Sequence, residues 1–206
     1  MKPFYAVIEG PDYSGKTSIL DGVVEKLRQR KVDHLRIREP GATEAGVGIR
    51  NLLQNPKLGF RFSPKAQTLM MYADRVETQA VIKEQLEAHK RPVISDRCYL
   101  SSIMYQGVLL GELDLCLNLQ SSLSIKKPDL IFIITVPVEI GLLRAKKRIG
   151  GLDVLDEVAI NNYTTLNNAY KNVNTIISGN YYFIDGSRLV SESVDEIISI
   201  MDTYYA

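Results

Sequence analysis

The segment GPDYSGKT at residues 10–17 constrains the fold of this chain more than any other part of its sequence. It has the spacing G-x-x-x-x-G-K-T, which is typical of loops that hold the phosphates of a nucleotide. Residues 3–8, before it, form a short apolar run of the kind found in buried strands. Residues 17–31, after it, place apolar side chains along one face of a helix. A strand, a glycine loop and a helix in this order predict a phosphate-binding loop.

In such a loop, backbone N–H groups and the positive end of the helix dipole hold the phosphates. Lys16 is expected to reach the β- and γ-phosphates of the nucleotide, and Thr17 the Mg²⁺ ion that accompanies them. We predict that the nucleotide contacts the loop residues Gly10, Asp12, Tyr13, Ser14, Gly15, Lys16, Thr17 and Ser18. The alternative is a turn that only starts a helix and leaves Lys16 exposed.

Strand and helix patterns alternate along the rest of the chain. Further strands are predicted at residues 34–39, 91–97, 129–136 and 180–186. Helical patterns lie between and after them, at residues 44–55, 65–89, 98–107, 112–125, 137–148, 155–175 and 190–203. This order predicts the α/β P-loop NTPase fold, a three-layer α/β/α arrangement with a five-stranded parallel sheet and helices on both faces. Ligands of such sheets bind at the carboxyl ends of the strands.

Composition excludes several classes of protein. A net charge of +1 at pH 7 gives no overall attraction to nucleic acid or to a membrane. The longest apolar run, residues 130–138, is far shorter than a membrane span, and the N-terminal run is too short for a secretion signal. Cys98 and Cys116 show no metal-ligand spacing, and packing is the favoured role for Cys98 over redox chemistry. We expect a single domain of residues 1–206 that is soluble and cytoplasmic.

Charged side chains follow the predicted strands. Asp96 ends the third strand, where an acid near a phosphate loop can hold Mg²⁺ through water or orient the nucleophile. It can alternatively cap the next helix. Arg38, Arg50, Arg75 and Arg97 lie at or near the strand ends, and arginine binds phosphate through two parallel hydrogen bonds. Together they indicate a second anionic ligand, although any one of them can instead form a surface salt bridge.

The motifs REPG at residues 38–41, YADR at 72–75 and DRCYLSSIMYQG at 96–107, combined with the phosphate loop, resemble the thymidylate kinase family. The resemblance covers residues 4–170 and is closer to the bacterial and phage type of these P-loop nucleoside monophosphate kinases. It implies Mg²⁺-dependent transfer of the γ-phosphoryl group of ATP to dTMP, giving dTDP for dTTP synthesis. It also implies small-molecule nucleotide substrates, no nucleic-acid partner and a homodimer.

The resemblance also implies roles for matching residues. Asp12 matches an acid that contacts the 3′-hydroxyl of the nucleotide sugar. Arg38, Arg50 and Arg97 match residues that hold the acceptor phosphate or bridge it to the donor. Asp96 matches the acid that organises Mg²⁺ and the acceptor. Thr17 and Asp96 are therefore the expected metal residues, and Lys16, Asp96 and Arg97 are expected to be catalytic.

The base pocket is assigned in the same way. Arg75 matches the arginine that binds the thymine base, and Ser102 and Gln106 match polar residues of the pocket wall. Tyr105 matches an aromatic residue beside the sugar that disfavours a 2′-hydroxyl. Met71 stands where the family usually stacks phenylalanine on the base, and methionine is more adaptable. The pocket is therefore expected to be looser, which leaves dUMP, a modified pyrimidine nucleotide or a deoxynucleoside as alternative acceptors.

Some family members carry an arginine in the phosphate loop, where this chain has Tyr13. Residues 144–157 match the flexible lid of the family, and by this resemblance Arg148 is the expected catalytic lid cation, with Lys147 second. A cation is needed there because negative charge spreads over the transferring phosphoryl group. The alternative is a solvated basic helix end.

A nucleotide-binding switch that hydrolyses slowly and signals to a partner is a further alternative. Such a protein needs a phosphate loop but no second small-molecule pocket. The four arginines and the SSIMYQG segment at residues 101–107 indicate such a pocket, and they favour the kinase.

Overall fold

The computed structural model describes residues 2–55, 57, 61–147 and 160–205. Within these ranges the chain forms one parallel sheet in the order β2-β3-β1-β4-β5. Its strands are β1 (Tyr5–Glu9), β2 (Leu35–Arg38), β3 (Val93–Asp96), β4 (Leu130–Thr135) and β5 (Tyr181–Asp185). The prediction of a five-stranded parallel sheet is therefore confirmed.

The helices follow the strands as expected for an α/β fold. They are α1 (Lys16–Gln29), α2 (Glu44–Gln54), α3 (Pro64–Glu87), α4 (Tyr99–Ser102), a π-helix (Ile103–Leu109), α5 (Leu113–Ser122), α6 (Val138–Lys146), α7 (Tyr163–Lys171), a 3₁₀ turn (Val173–Thr175) and α8 (Val190–Tyr205). Local chemistry explains the starts of two of them. Thr43 and Ser63 accept hydrogen bonds from Gly46 and Ala66 and so cap α2 and α3.

Two predicted helices differ from the observed structure. The pattern at residues 98–107 predicted one ordinary helix, but α4 makes only one turn and then widens into the π-helix. There the N–H of Leu110 donates to the carbonyl of Tyr105, five residues earlier, at 3.2 Å. The helix predicted at 155–175 is observed as α7 and the 3₁₀ turn, while residues 155–159 lie outside the described ranges.

Two apolar cores lie on the two faces of the sheet. Because successive strand residues face opposite sides, β1 sends Tyr5 and Val7 into one core and Ala6 and Ile8 into the other. The first core packs against α3, α4, the π-helix and α7, and the second against α1 and α8. The three-layer α/β/α arrangement is therefore confirmed, and it directs the carboxyl ends of β1, β2 and β3 to one edge.

Cys98 and Cys116 are buried in the first core and form no disulfide. Burial raises the pKa of the Cys116 thiol to about 11, and it raises that of Cys98 well above its usual value. The burial of Cys98 agrees with the packing role expected for it, and Cys116 packs in the same core. In the described part of the chain, no helix combines the length and apolar character needed to cross a membrane.

Close packing of α1 against α8 gives a stability prediction. A Cβ on Gly22 would lie 2.6 Å from Cγ2 of Val194, so Gly22→Ala is expected to lower the free energy of unfolding by about 1–3 kcal/mol. Gly48→Ala is the matched control, because Gly48 is also helical and has nothing within 4 Å. It is expected to stabilise by about 0.5–1 kcal/mol. Urea unfolding measures both, and equal losses would contradict the packing argument.

Candidate active site

The predicted phosphate loop joins β1 to α1. A Cβ on Gly10, whose φ is 140°, would lie 2.2 Å from the carbonyl oxygen of Ile134, so only glycine fits there. Gly15 is the N-cap residue of α1, with φ 98°. The free N–H groups at the start of α1 therefore adjoin the loop, as in a phosphate-binding site.

A cavity of about 490 Å³ opens over this loop, and we call it the loop cavity. Six of the eight predicted nucleotide-binding residues line it, namely Asp12, Tyr13, Gly15, Lys16, Thr17 and Ser18. Gly10 and Ser14 do not line it; Gly10 shapes the turn, and the carbonyl of Ser14 accepts from Arg144. Two of the predicted catalytic residues, Asp96 and Arg97, also line this cavity.

Lys16 is held by the loop itself. Its side chain is 7% exposed, and its ammonium group donates to the carbonyl of Pro11 at 2.6 Å and lies 3.8 Å from Asp12 Oδ1. Burial, reinforced by the charge of Arg97, lowers the pKa of Lys16 to about 8, although Asp12 opposes this shift. The lysine is thus a buried cation in the wall of the cavity, and the exposed lysine of the alternative interpretation is wrong.

Asp12 and Arg97 form an ion pair between the loop and the end of β3. The hydroxyl of Tyr105 donates to Asp12 Oδ2 at 2.7 Å, and Arg97 also donates to Ser101 Oγ at 3.0 Å. Burial raises the pKa of Asp12, but Arg97 and Lys16 overcome this and set it at about 2. Burial lowers the pKa of Arg97, but the negative charge of Asp12 outweighs this effect and raises the pKa well above its usual value. The pair therefore stays ionised throughout the neutral pH range.

Asp96 ends β3 and is 6% exposed. Its Oδ2 atom lies 3.5 Å from Nε of Arg38. The N-cap of α4 is Cys98, so Asp96 does not have the helix-capping role considered as an alternative. Its carboxylate instead faces the loop cavity, together with the exposed hydroxyl-bearing residue Thr17.

A second cavity of about 160 Å³ adjoins the first, and we call it the arginine cavity. All nine predicted acceptor-binding residues line it: Asp12, Arg38, Arg50, Met71, Arg75, Arg97, Ser102, Tyr105 and Gln106. Three of them, Asp12, Arg38 and Arg97, line both cavities. The structure thus brings the predicted set together, while what each residue binds stays a prediction.

Arg75 is buried in the wall of the arginine cavity. Its Nε donates to Glu39 Oε2 at 2.8 Å, with side chains only 3% and 1% exposed. Its two terminal nitrogens donate to Ser102 Oγ at 3.2 Å and to the carbonyl of Cys98 at 3.1 Å. For Arg75, the alternative of a surface salt bridge is therefore wrong. Burial raises the pKa of Glu39 to about 7, against the opposing charge of Arg75.

Sequence reasoning missed Arg144 as a site residue and placed it only in the lid segment. Its guanidinium donates to the carbonyls of Ser14 at 3.0 Å and Gly186 at 2.9 Å, and it lines the loop cavity. The contact follows from the topology, because α6 leaves β4 directly beside β1. Arg148, the predicted lid cation, and the lid residues 148–157 lie outside the described ranges.

Glu9 was also missed. It is fully buried at the end of β1 and accepts hydrogen bonds from the N–H groups of Cys98 at 2.8 Å and Ser101 at 3.1 Å. It also accepts from the hydroxyl of Tyr170 at 2.9 Å. This carboxylate ties β1, the segment that carries Arg97, and α7. An acid directly before the first loop glycine was the available signal.

Comparison with known proteins agrees with these observations. The family model for thymidylate kinase matches residues 8–197. Thymidylate kinase from Legionella pneumophila (strain Paris) is 30% identical over 203 residues, which cover 96% of this chain and 93% of the relative. That from Dinoroseobacter shibae is 32% identical over 192 residues, covering 93% and 92%. That from Caldicellulosiruptor saccharolyticus is 32% identical over 205 residues, covering 98% and 97%. The chain belongs to the thymidylate kinase family.

Proposed function

We propose that this protein transfers the γ-phosphoryl group of ATP to dTMP, giving ADP and dTDP, with Mg²⁺ as the metal. One observation carries the proposal: a phosphate-loop cavity and an arginine-lined cavity meet at Asp12, Arg38 and Arg97. A phosphoryl group can pass between two bound nucleotides only where their phosphates come together. The protein belongs to the thymidylate kinase family and is therefore an ATP-dependent kinase of small nucleotides.

On the donor side, the loop and the start of α1 hold the phosphates of ATP. Lys16 neutralises charge on the β- and γ-phosphates, and Arg144 keeps the loop in place through Ser14. Lys147, at the end of α6, and Arg148, outside the described residues, remain the proposed lid cations. These groups act by electrostatic stabilisation and need no covalent intermediate.

Thr17 and Asp96 are suited to hold Mg²⁺. Both line the loop cavity, and hydroxyl and carboxylate oxygens are ligands that this ion prefers. The described residues contain no cluster of three His, Cys, Asp or Glu side chains that forms a metal cage. Mg²⁺ in kinases commonly takes one or two protein oxygens and completes its shell with phosphates and water. The ion supplies charge neutralisation between the β- and γ-phosphates when it is bound.

On the acceptor side, Arg38, Arg50 and Arg97 hold the phosphate of dTMP. Arg75, Ser102 and Gln106 line the arginine cavity, are almost fully buried and bind the base, while Met71 contacts the face of the base. Asp12 and Tyr105 are joined by a 2.7 Å hydrogen bond and face the sugar.

A homodimer and a cytoplasmic location belong to the same proposal. The helix α3 exposes Leu69 and Val76, which lie two turns apart on one face and are 50% and 43% exposed. A second copy of the chain would cover this face, and sedimentation analysis tests this directly.

The function is tested by ADP release from ATP and Mg²⁺ with a panel of dTMP, dUMP, dCMP, dGMP, dAMP, UMP and thymidine. We expect dTMP to give the highest kcat/KM. Comparable rates with several monophosphates would keep the reaction but refute thymine selectivity, and would implicate Met71. ATP binding without stimulation by any acceptor would refute the kinase and favour a nucleotide-binding switch.

A further inference from the structure

The carboxylate of Glu9 is a buried polar group that the proposed reaction does not use. Glu9 is fully buried, and among the described residues it lines neither the loop cavity nor the arginine cavity. Burying a carboxylate is costly unless hydrogen bonds or opposite charges compensate for the lost water. The groups that compensate Glu9 therefore indicate its role.

The described contacts of this carboxylate are all with hydrogen-bond donors. Oε1 accepts from the N–H of Cys98 at 2.8 Å and from the N–H of Ser101 at 3.1 Å. Oε2 accepts from the N–H of Gly10 at 3.1 Å and from the hydroxyl of Tyr170 at 2.9 Å. The hydroxyl of Ser101 lies 3.0 Å from one oxygen and 3.1 Å from the other. Donors at both oxygens require a carboxylate, because one side of an amide is itself a donor.

Ser101 links this carboxylate to the guanidinium of Arg97. A hydroxyl group has a single proton, which Ser101 donates to Glu9, so its oxygen is free to accept from Nη1 of Arg97 at 3.0 Å. The other terminal nitrogen of Arg97, Nη2, donates to Asp12. The guanidinium is thus held on two sides, by Asp12 directly and by Glu9 through Ser101. Hydrogen bonds in such a chain polarise and strengthen one another.

The backbone at Arg97 is held by the same carboxylate. Arg97 has φ 76°, in the left-handed region that residues other than glycine rarely adopt, and such a conformation persists only where its surroundings fix it. The N–H of Arg97 donates to the carbonyl of Ile8 at 3.1 Å, and its own carbonyl accepts from the hydroxyl of Ser95 at 2.7 Å. The N–H of the next residue, Cys98, donates to Glu9. Glu9 therefore supports both the turn and the side chain of Arg97.

We propose that Glu9 is a positioning residue for phosphoryl transfer, whose carboxylate fixes the guanidinium of Arg97 in the wall that the two cavities share. The inference rests on the proposed function, in which Arg97 holds the acceptor phosphate. A cation that is already oriented when the nucleotides bind lowers the barrier more than one that must first be ordered.

The variant Glu9→Gln tests this role. Glutamine has nearly the same size and keeps one oxygen, but it loses the negative charge and sets an NH₂ group against N–H or O–H donors. We expect kcat/KM for dTMP to fall by about 10- to 30-fold, while KM for ATP changes by about twofold or less. Steady-state kinetics with each substrate varied in turn measures both constants, and thermal unfolding shows that the variant is folded.

A double-mutant cycle with Arg97→Ala separates positioning from a purely structural role. If Glu9 acts through Arg97, adding Glu9→Gln to the Arg97→Ala enzyme is expected to lower kcat/KM by about twofold or less. If the loss is the same with and without Arg97, Glu9 does not act through this arginine and the proposal is wrong.

Asp129→Asn is the matched control. Asp129 also supports β1, since its Oδ2 accepts from the N–H of Tyr5 at 2.8 Å, but it does so at the amino end of the strand, whereas Glu9 lies at the carboxyl end. We expect this variant to keep kcat/KM within about twofold of the native value. A loss as large as that of Glu9→Gln would show that any weakening of β1 is enough, and would overturn the proposal.

A second variant covers the case in which Glu9→Gln does not fold. Ser101→Ala removes the hydroxyl link and leaves the carboxylate with its backbone donors. It is expected to lower kcat/KM for dTMP by about 5- to 10-fold in the native background and by about twofold or less in Arg97→Ala. A native kcat/KM in Ser101→Ala would refute the link.

Failure of this inference is distinguishable from failure of the proposed function. If the native protein turns over none of the nucleoside monophosphates, the proposed function itself is refuted. Good turnover of dTMP by the native protein, with an unchanged kcat/KM in Glu9→Gln, would refute only the role of Glu9.

Discussion

Replacing Lys16 with methionine is expected to lower kcat by about 10²- to 10³-fold. Methionine fills a similar volume, so the buried position stays packed, but the cation that faces the donor phosphates is lost. The hydrogen bond from Lys16 to the carbonyl of Pro11 is lost as well, so the loop is held less firmly. The measurement is ADP release at saturating ATP and dTMP, with ATP binding followed separately by calorimetry.

Lys26→Met is the matched control for this prediction. Lys26 lies on the same helix, α1, where its side chain is 45% exposed and pairs with Asp195 at 3.1 Å. Exposed pairs of this kind contribute only about 0–1 kcal/mol, so activity is expected to stay near the native value. A Lys16→Met enzyme with more than a tenth of the native kcat would show that the lysine does not act on the phosphates.

The second large effect is expected at Arg97. Replacing it with alanine removes a guanidinium that lines both cavities. It also removes the ion pair of Asp12 with Arg97 and leaves Lys16, 3.8 Å away, beside the Asp12 carboxylate. We expect kcat/KM for dTMP to fall by about 10²- to 10³-fold. Arg97→Lys keeps the charge but cannot bond Asp12 and Ser101 with one planar group, so it is expected to restore less than about a tenth of the lost activity.

Steady-state kinetics with varied dTMP measures these effects, and thermal unfolding separates them from a loss of folding. Arg36→Ala is the control, because Arg36 lies in the edge strand β2 and forms a half-exposed pair with Asp21 at 2.7 Å. It is expected to change stability by about 0.5 kcal/mol or less and leave kcat/KM unchanged. Native kcat/KM in Arg97→Ala would refute the assignment of this arginine to the acceptor phosphate.

The sheet and most of the site followed from short-range patterns. Apolar runs such as residues 129–136 have the length of buried strands, and alternation with helical patterns determined that they are parallel. The rule that strand carboxyl ends collect ligands then predicted that Arg38, Asp12 and Arg97 would meet, as they do at the wall shared by the two cavities.

Other features depend on long-range contacts that no local pattern records. Arg144 reaches the loop because α6 follows β4, and β4 pairs with β1, although 130 positions separate Arg144 from Ser14. The spacing of apolar residues in the sequence does not predict the π-helix, because the same spacing also fits an ordinary α-helix. Glu9 and Glu39 were passed over because acidic residues at strand ends are usually exposed. Here both are buried, and their hydrogen-bond partners are Cys98 and residues of α3, α4 and α7.

The wall shared by the two cavities, formed by Asp12, Arg38 and Arg97, has a consequence for inhibitor chemistry. Ligands on its two sides are close enough for one molecule to occupy both places. Adenosine and thymidine joined through a polyphosphate chain would lose translational freedom once instead of twice, so the joined compound gains affinity over either half. Its affinity would be highest for the polyphosphate length that matches the path across the wall. A series of compounds with different polyphosphate lengths would therefore measure the distance between the donor and acceptor sites.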